Sequence, residues 1–412
     1  MNTSGRQCFF IALLFPATLV TACGDAPTDK DLTSRTVSTQ TVSNTSSAAS
    51  VPPSQRQNTP TSEPPVNRAD SQILAPGIDA ASLGANLNGS GSTLVSPALK
   101  IWQQEFGKLF PKVRINYQAG GSGQGRSDLL TGKTEFGVSD VQVSKEEASK
   151  TGHNFDNYIQ IPATLAAIVL IYHVPGVSNL KLDPQVLGEI YTGKIKKWND
   201  QKITHANPDA NLPDAEIKFA VRADSSGTSE VFVTYLAEVS ADFKAKIGKP
   251  SGTPKWENVG INVTAASGND GIAGLVKQSE GCLGYTELAF ALQNKLSYAT
   301  LKNKAGTFVQ PTLDTLSAAA TDAKPDEHLK VNLVDQPEQN AYPITTTTYF
   351  LLNRRYEDKA QGQAVVAFVW FALHRGGELA KKANYAPLSD ELLKQAEEKL
   401  RNMTTDSVAV AR

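Results

Sequence analysis

Apolar and polar positions change period repeatedly between Leu83 and Met403, and each change marks an element. Val113-Arg-Ile-Asn-Tyr117 and Ile217-Lys-Phe-Ala-Val221 alternate with period two, which predicts strands. Leu94 to Phe110 and Val231 to Val239 carry apolar residues at helical spacing, and a further helix, Ile272 to Val276, follows Gly268-Asn-Asp-Gly271. The short apolar segment Phe136-Gly-Val-Ser139 ends at Asp140, while Ile168 to Tyr172 and Tyr349 to Leu352 predict buried strands. Ser144-Lys-Glu-Glu147 is a capping box that starts one helix. Ser389 before Asp390-Glu391 starts the last one, which aligns Leu392, Leu393, Ala396 and Leu400 on one face. Short strands alternating with helices predict an α/β protein.

Upstream of Leu83 the periodicity fails. From Gly24 to about Ile78 the chain is dominated by Ser, Thr, Pro, Asn, Gln and Asp, with no aromatic residue between Phe15 and Trp102. Such a stretch cannot bury enough apolar surface to offset its ordering entropy, so residues 23–82 are expected to form a disordered tether. Arg6 and the apolar run Cys8 to Val20 predict a signal peptide over residues 1–22, too short to span a bilayer.

Composition narrows the function. The 412 residues suggest two domains after processing, and 40 basic against 41 acidic side chains leave no basic excess for a nucleic-acid partner. Five histidines lie scattered without metal-ligand spacing, so neither metal nor cofactor is expected. Of three cysteines, Cys8 leaves with the signal peptide and Cys23 follows it, so Cys282 is expected as a small core residue.

The chemistry concentrates in Arg222-Ala-Asp-Ser-Ser-Gly-Thr228, placed between a strand and a helix. A Ser/Gly turn opening a helix points backbone N–H groups at one spot, where the helix dipole also favours negative charge. Arg222 adds a fork of donors and Asp224 can hold that fork. Asn88-Gly-Ser-Gly-Ser-Thr93 and Ala119-Gly-Gly-Ser-Gly-Gln-Gly125 read as two further Gly/Ser turns before helices. Asp140 sets the ligand class. A carboxylate facing an anion repels it unless the anion carries a proton, and acceptor against acceptor in a dry cleft costs roughly 3–5 kcal/mol. Gly120 to Ser127 imitates a phosphate-binding P-loop but has Arg126 where that loop needs lysine. Asn269 or Asp270 is expected to cap its helix.

Seven ordered blocks carry a resemblance. Gly89-Ser-Gly-Ser-Thr93, Asn116-Tyr-Gln118 with the Gly/Ser loop after it, Phe136-Gly-Val-Ser-Asp140, Ile190-Tyr-Thr-Gly-Lys-Ile-Lys-Lys-Trp198, Arg222 to Thr228, Gly268-Asn-Asp-Gly-Ile272 and Tyr342-Pro-Ile-Thr345 lie in collinear order. Over roughly residues 83–403 the chain resembles the periplasmic phosphate-binding protein of the high-affinity bacterial phosphate ABC transporter. The resemblance implies a two-lobe type II periplasmic-binding-protein fold, each lobe a mixed sheet flanked by helices, with two hinge crossings. It divides the chain into lobe one, 83–165 plus 346–412, and lobe two, 166–345. It assigns phosphate contacts to Thr93, Leu94, Ser122, Asp140, Arg222, Ser226, Gly227 and Thr228, with Asp224 supporting Arg222. The family usually has Phe at Leu94 and often Gly at Ser225; a main-chain contact at Leu94 survives the first change. Val20-Thr-Ala-Cys23 resembles a lipobox, which implies lipidation of Cys23 and a cell-envelope or periplasmic, membrane-anchored protein. The implied partners are inorganic phosphate and the permease subunits, with the protein itself a monomer and no enzyme. Two alternatives stay open: a same-fold receptor for sulfate or molybdate, against which Asp140 argues, and an exported phosphoester hydrolase, for which no activated nucleophile is visible.

Overall fold

The computed structural model describes residues 73–405 and 408–409, so the signal peptide, Cys23 and most of the expected tether lie outside the described residues. The folded region starts earlier than composition suggests. Ile73 and Ala75 are buried in the main core, because two apolar side chains are enough to anchor an otherwise polar approach.

The main sheet contains β1 (Ala85–Gly91), β2 (Val113–Ala119), β3 (Phe136–Ser139), β4 (Tyr158–His173), β5 (Lys218–Arg222), β6 (Val263–Ala266), β7 (Cys282–Glu287), β8 (Ser297–Tyr298) and β9 (Thr345–Asn353). Their spatial order is β2-β1-β3-β9-β4-β7-β5-β6, with β8 added against β4. Strands β1, β2 and β3 are mutually parallel, as are β7, β5 and β6, whereas β9 runs antiparallel to both β3 and β4. Strand β4 pairs with β9 through Ala167 and with β7 from Ile168 onward. One sixteen-residue strand thus serves two groups of strands, and the pattern Ile168 to Tyr172 predicted only its far end. Its first half contains Pro162, which cannot donate to a ladder. The register shifts there: Tyr349 pairs with Pro162 while Thr348 pairs with Thr164, leaving Ala163 as a bulge.

The helices that matter for the site are α1 (Ser96–Leu109), α2 (Ser122–Leu130), α3 (Lys145–Lys150), α4 (Gly227–Val239) and α5 (Gly268–Gln278). Ser226 caps α4 by accepting the Ser229 amide at 3.1 Å, and Glu230 in its first turn complements the helix dipole. Helix α3 has the predicted capping box. The last helix, Asp390–Arg401, is capped by Ser389 and buries Leu392, Ala396 and Leu400. Cys282 is buried, and burial pushes its thiol up to about 11. No helix among the described residues is long and apolar enough to cross a membrane.

The first Gly/Ser segment is not a turn throughout. Asn88 to Gly91 belong to β1, which is paired on both edges, and the turn begins at Ser92. Gly89 is required there by packing, since a Cβ would fall 2.2 Å from the Phe136 ring. Glycine content signalled close approach of an aromatic ring rather than a loop.

Candidate functional site

Three strand ends and two helix starts converge. Thr93 and Leu94 follow β1, Ser122 opens α2, Asp140 follows β3, Arg222 closes β5, and Ser226 to Thr228 open α4. All of these residues are buried.

Arg222 is bound on both sides. Its Nε donates to Asp224 Oδ1 at 2.8 Å and its Nη2 to Asp224 Oδ2, while Gly268 N donates to the same Oδ1 at 3.0 Å. Burial alone would raise the Asp224 carboxyl, but the hydrogen bonds and charge of Arg222 and the Gly268 amide outweigh it and hold it below the usual value. This is no surface ion pair, because the Arg222 side chain is only 1 % exposed. The remaining face of the fork reaches Thr93 Oγ1 at 3.2 Å and Thr228 Oγ1 at 3.4 Å.

Asp140 is buried and receives three hydroxyl donors: Ser92 at 2.6 Å and Thr348 at 3.1 Å to Oδ1, and Ser122 at 3.2 Å to Oδ2. Burial raises its carboxyl; these donors and the charge of Arg222 oppose the shift without cancelling it. Ser122 also accepts the Asp140 amide at 3.1 Å, so its single proton serves the carboxylate. The Leu94 amide donates to Ser92 Oγ at 3.0 Å. These two predicted donors therefore brace Asp140 and its neighbour. Gly227 lies against the same group, since a Cβ on it would fall 2.4 Å from Ser122 Oγ and 2.8 Å from Asp140 Cβ.

Several site groups escaped sequence reasoning. Asn269 neither caps α5 nor lies at its cap position, which belongs to Ser267. It is fully buried, and its Nδ2 donates to Thr93 Oγ1 at 2.9 Å and to Thr228 Oγ1 at 3.3 Å. Ser92 and Asn269 stand in motif blocks, so their positions were flagged although their roles were not, whereas Thr348 lies between the Tyr342 to Thr345 block and the Tyr349 to Leu352 run and was not flagged. Glu287 and Tyr385 stand in none. Tyr385 donates to Leu94 O at 2.7 Å and meets Glu287 Oε2 at 3.0 Å; burial raises Glu287 well above the carboxylate range, against the pull of the Tyr385 and Ala289 hydrogen bonds. The phenol faces two acceptors, Leu94 O and Glu287 Oε2, and Oε2 also accepts the Ala289 amide at 2.8 Å.

Arg126 leads away from this centre. Its Nε binds Glu147 at 2.8 Å and its Nη1 donates to Ser139 Oγ at 3.2 Å, a structural role in place of the lysine of a nucleotide loop. No group of three or more His, Cys, Asp or Glu side chains among the described residues could hold a metal ion. Guanidinium, hydroxyls and helix-start amides around one protonatable carboxyl suit a small oxyanion that can itself donate one hydrogen bond.

Comparison with known proteins agrees with this chemistry. A model of the PBP superfamily domain matches residues 34–372. The phosphate-binding protein PstS of Xylella fastidiosa is 35% identical over 315 residues, covering 76% of this chain and 84% of that protein. The phosphate-binding protein PstS of Haemophilus influenzae is 32% identical over 312 residues, covering 75% of this chain and 90% of its own. A solved high-affinity periplasmic phosphate-binding protein (PfluDING), bound with phosphate, shares the fold at a TM-score of 0.63 and 20% identity, over 76% of this chain and 93% of that one.

Proposed function

This chain belongs to the PBP superfamily and, within it, to the phosphate-binding proteins, and from that premise we propose that it captures inorganic phosphate and delivers it to a membrane ABC permease. The observation that carries the reading is the opposition of Asp140 to the Arg222 fork. Phosphate at neutral pH keeps a proton for the carboxylate while its other oxygens accept from the guanidinium, from Thr93, Ser226 and Thr228, and from the amides of Gly227 and Thr228. Sulfate has no such proton. The bracing roles of Ser122 and Leu94 support an indirect share for these two residues, through Asp140 and Ser92.

The division of β4 between two groups of strands supports two lobes, 83–165 plus 346–412 and 166–345, that close on the ligand. Signal peptide 1–22 would direct export and be removed, and lipidated Cys23 with the tether after it would hold a monomeric receptor at the cell envelope. Mass spectrometry of the mature amino terminus should find a diacylglyceryl-cysteine, and a Cys23→Ala protein should leave the membrane fraction.

Calorimetric titration tests the central reading. Residues 73–412 should bind one phosphate per monomer without added metal or nucleotide, and bind sulfate far more weakly. Strict dependence on a divalent cation, or equal affinity for sulfate, would overturn it.

A further inference from the structure

We propose that Asn269 is a positioning residue that sets the direction of both threonine hydroxyls, turning Thr93 and Thr228 into obligate donors toward the bound anion. The inference rests on the phosphate reading and adds to it the group that makes two amphoteric hydroxyls behave as donors.

The orientation of the Asn269 amide follows from its neighbours. Its Oδ1 lies 3.1 Å from the Glu287 amide, a group that can only donate, and 3.1 Å from the Thr286 hydroxyl. The atom facing Glu287 is therefore oxygen, and nitrogen is the atom that faces the threonines. Thr93 Oγ1 then meets three N–H donors: Asn269 Nδ2 at 2.9 Å, Asn269 N at 3.2 Å and Arg222 Nη2 at 3.2 Å. Thr228 Oγ1 meets two, Asn269 Nδ2 at 3.3 Å and Arg222 Nη1 at 3.4 Å.

A hydroxyl is amphoteric, and on its own it would turn to suit whatever approached it. Surrounded by N–H groups, it can only accept from the protein, so its own proton must point to a different acceptor. Among the described residues neither threonine proton has a protein acceptor. The two hydroxyls stand after β1 and at the start of α4, on segments that meet at this site. One side-chain amide bridges them and fixes both at once, and its burial prevents water from doing so instead. Arg222 contributes to both hydroxyls, but its charge also faces Asp224, whereas the Asn269 nitrogen has no other partner among the described residues.

A double-mutant cycle read by phosphate titration separates positioning from packing. Asn269→Ala should weaken phosphate binding at least tenfold, or about 1.4 kcal/mol. In a Thr93→Val, Thr228→Val background, which has no hydroxyls to direct, the same substitution should change affinity by less than threefold. An equal loss in both backgrounds, or no loss in either, would overturn the proposal. If the alanine protein does not fold, neutron diffraction of the wild-type phosphate complex decides alone. Both hydroxyl deuterons pointing at phosphate oxygens support the role, and either one pointing at Asn269 refutes it. Failure of the wild-type protein to bind phosphate at all would instead remove the functional reading on which the proposal stands.

Discussion

Replacing Asp140 by Asn should shift the ligand preference more than it weakens the site. Ser92 and Thr348 donate to Oδ1 at 2.6 and 3.1 Å, so the amide oxygen of Asn must take that place. The NH2 group then lands where Oδ2 now sits, beside Ser122 and against Gly227. For an unprotonated oxygen this converts a repulsive pair of acceptors into a hydrogen bond. The full penalty for an uncompensated buried charge is roughly 3–5 kcal/mol. Three hydroxyls and Arg222 already offset part of the Asp140 charge, so the smaller value for a hydrogen bond to a charged group, about 1.5–3 kcal/mol, applies. The phosphate-to-sulfate affinity ratio should therefore fall roughly 10- to 150-fold. Titration of both proteins with both anions at neutral pH measures it. A ratio within about twofold of wild type, less than roughly 0.5 kcal/mol, would show that Asp140 does not select the ligand. A pH series supplies an internal control. Burial raises the Asp140 carboxyl, so it begins to take a proton above the ordinary carboxylate range as pH falls and then becomes a donor. Wild-type affinity for sulfate should rise over that interval, whereas the Asn variant should stay flat.

Removing the guanidinium by Arg222→Ala should weaken all oxyanions alike and leave Asp224 unpaired, at a cost of about 3–5 kcal/mol; a loss confined to phosphate would contradict the assignment. Gly227→Ala places a Cβ 2.4 Å from Ser122 Oγ and 2.8 Å from Asp140 Cβ, so the ligand-free protein should lose about 1–3 kcal/mol of stability and bind phosphate more weakly. An unchanged melting temperature and affinity would mean that α4 does not pack this closely against Ser122 and Asp140. Glu287 keeps its proton in the folded protein at pH values where the unfolded chain has lost it, so it makes stability fall as pH rises from the ordinary carboxylate range to its raised value. Glu287→Gln, which cannot ionise, should remove that part of the slope in urea midpoints measured against pH, and an unaltered slope would show Glu287 ionised in the native state.

Much of the fold was legible because periodicity and burial agree: Phe136–Ser139 was located to the residue and the last helix begins at its Ser389 cap, whereas α4 starts at Gly227, four residues before the predicted Val231. Two kinds of information were not in the local pattern. Gly89 and its neighbours read as a turn, because composition cannot distinguish a glycine needed for backbone conformation from one needed for space. Asn269 read as a cap because its position near a helix start is the local signal, while its actual partners are 176 and 41 residues away. The core of the site, Arg222 with Asp224 and the Ser/Gly turn, was visible because those groups are close in sequence. Glu287 and Tyr385, 98 residues apart, meet only through the fold.

The place of β9 between β3 and β4 has a consequence for the order in which this protein can assemble. Both neighbours are made early in the chain, yet the strand that joins them arrives last, and the hydrogen bond from Thr348 to Asp140 spans 208 positions. Until then two strand edges stand open, and closing so long a loop precedes any reward from pairing. Such non-local topology folds slowly, and the unfinished edges invite pairing with other chains. The last strand also completes the environment of the selective carboxylate. A nascent or truncated chain ending before Thr345 thus lacks both a closed sheet and a finished site, so ligand can reward only the complete molecule.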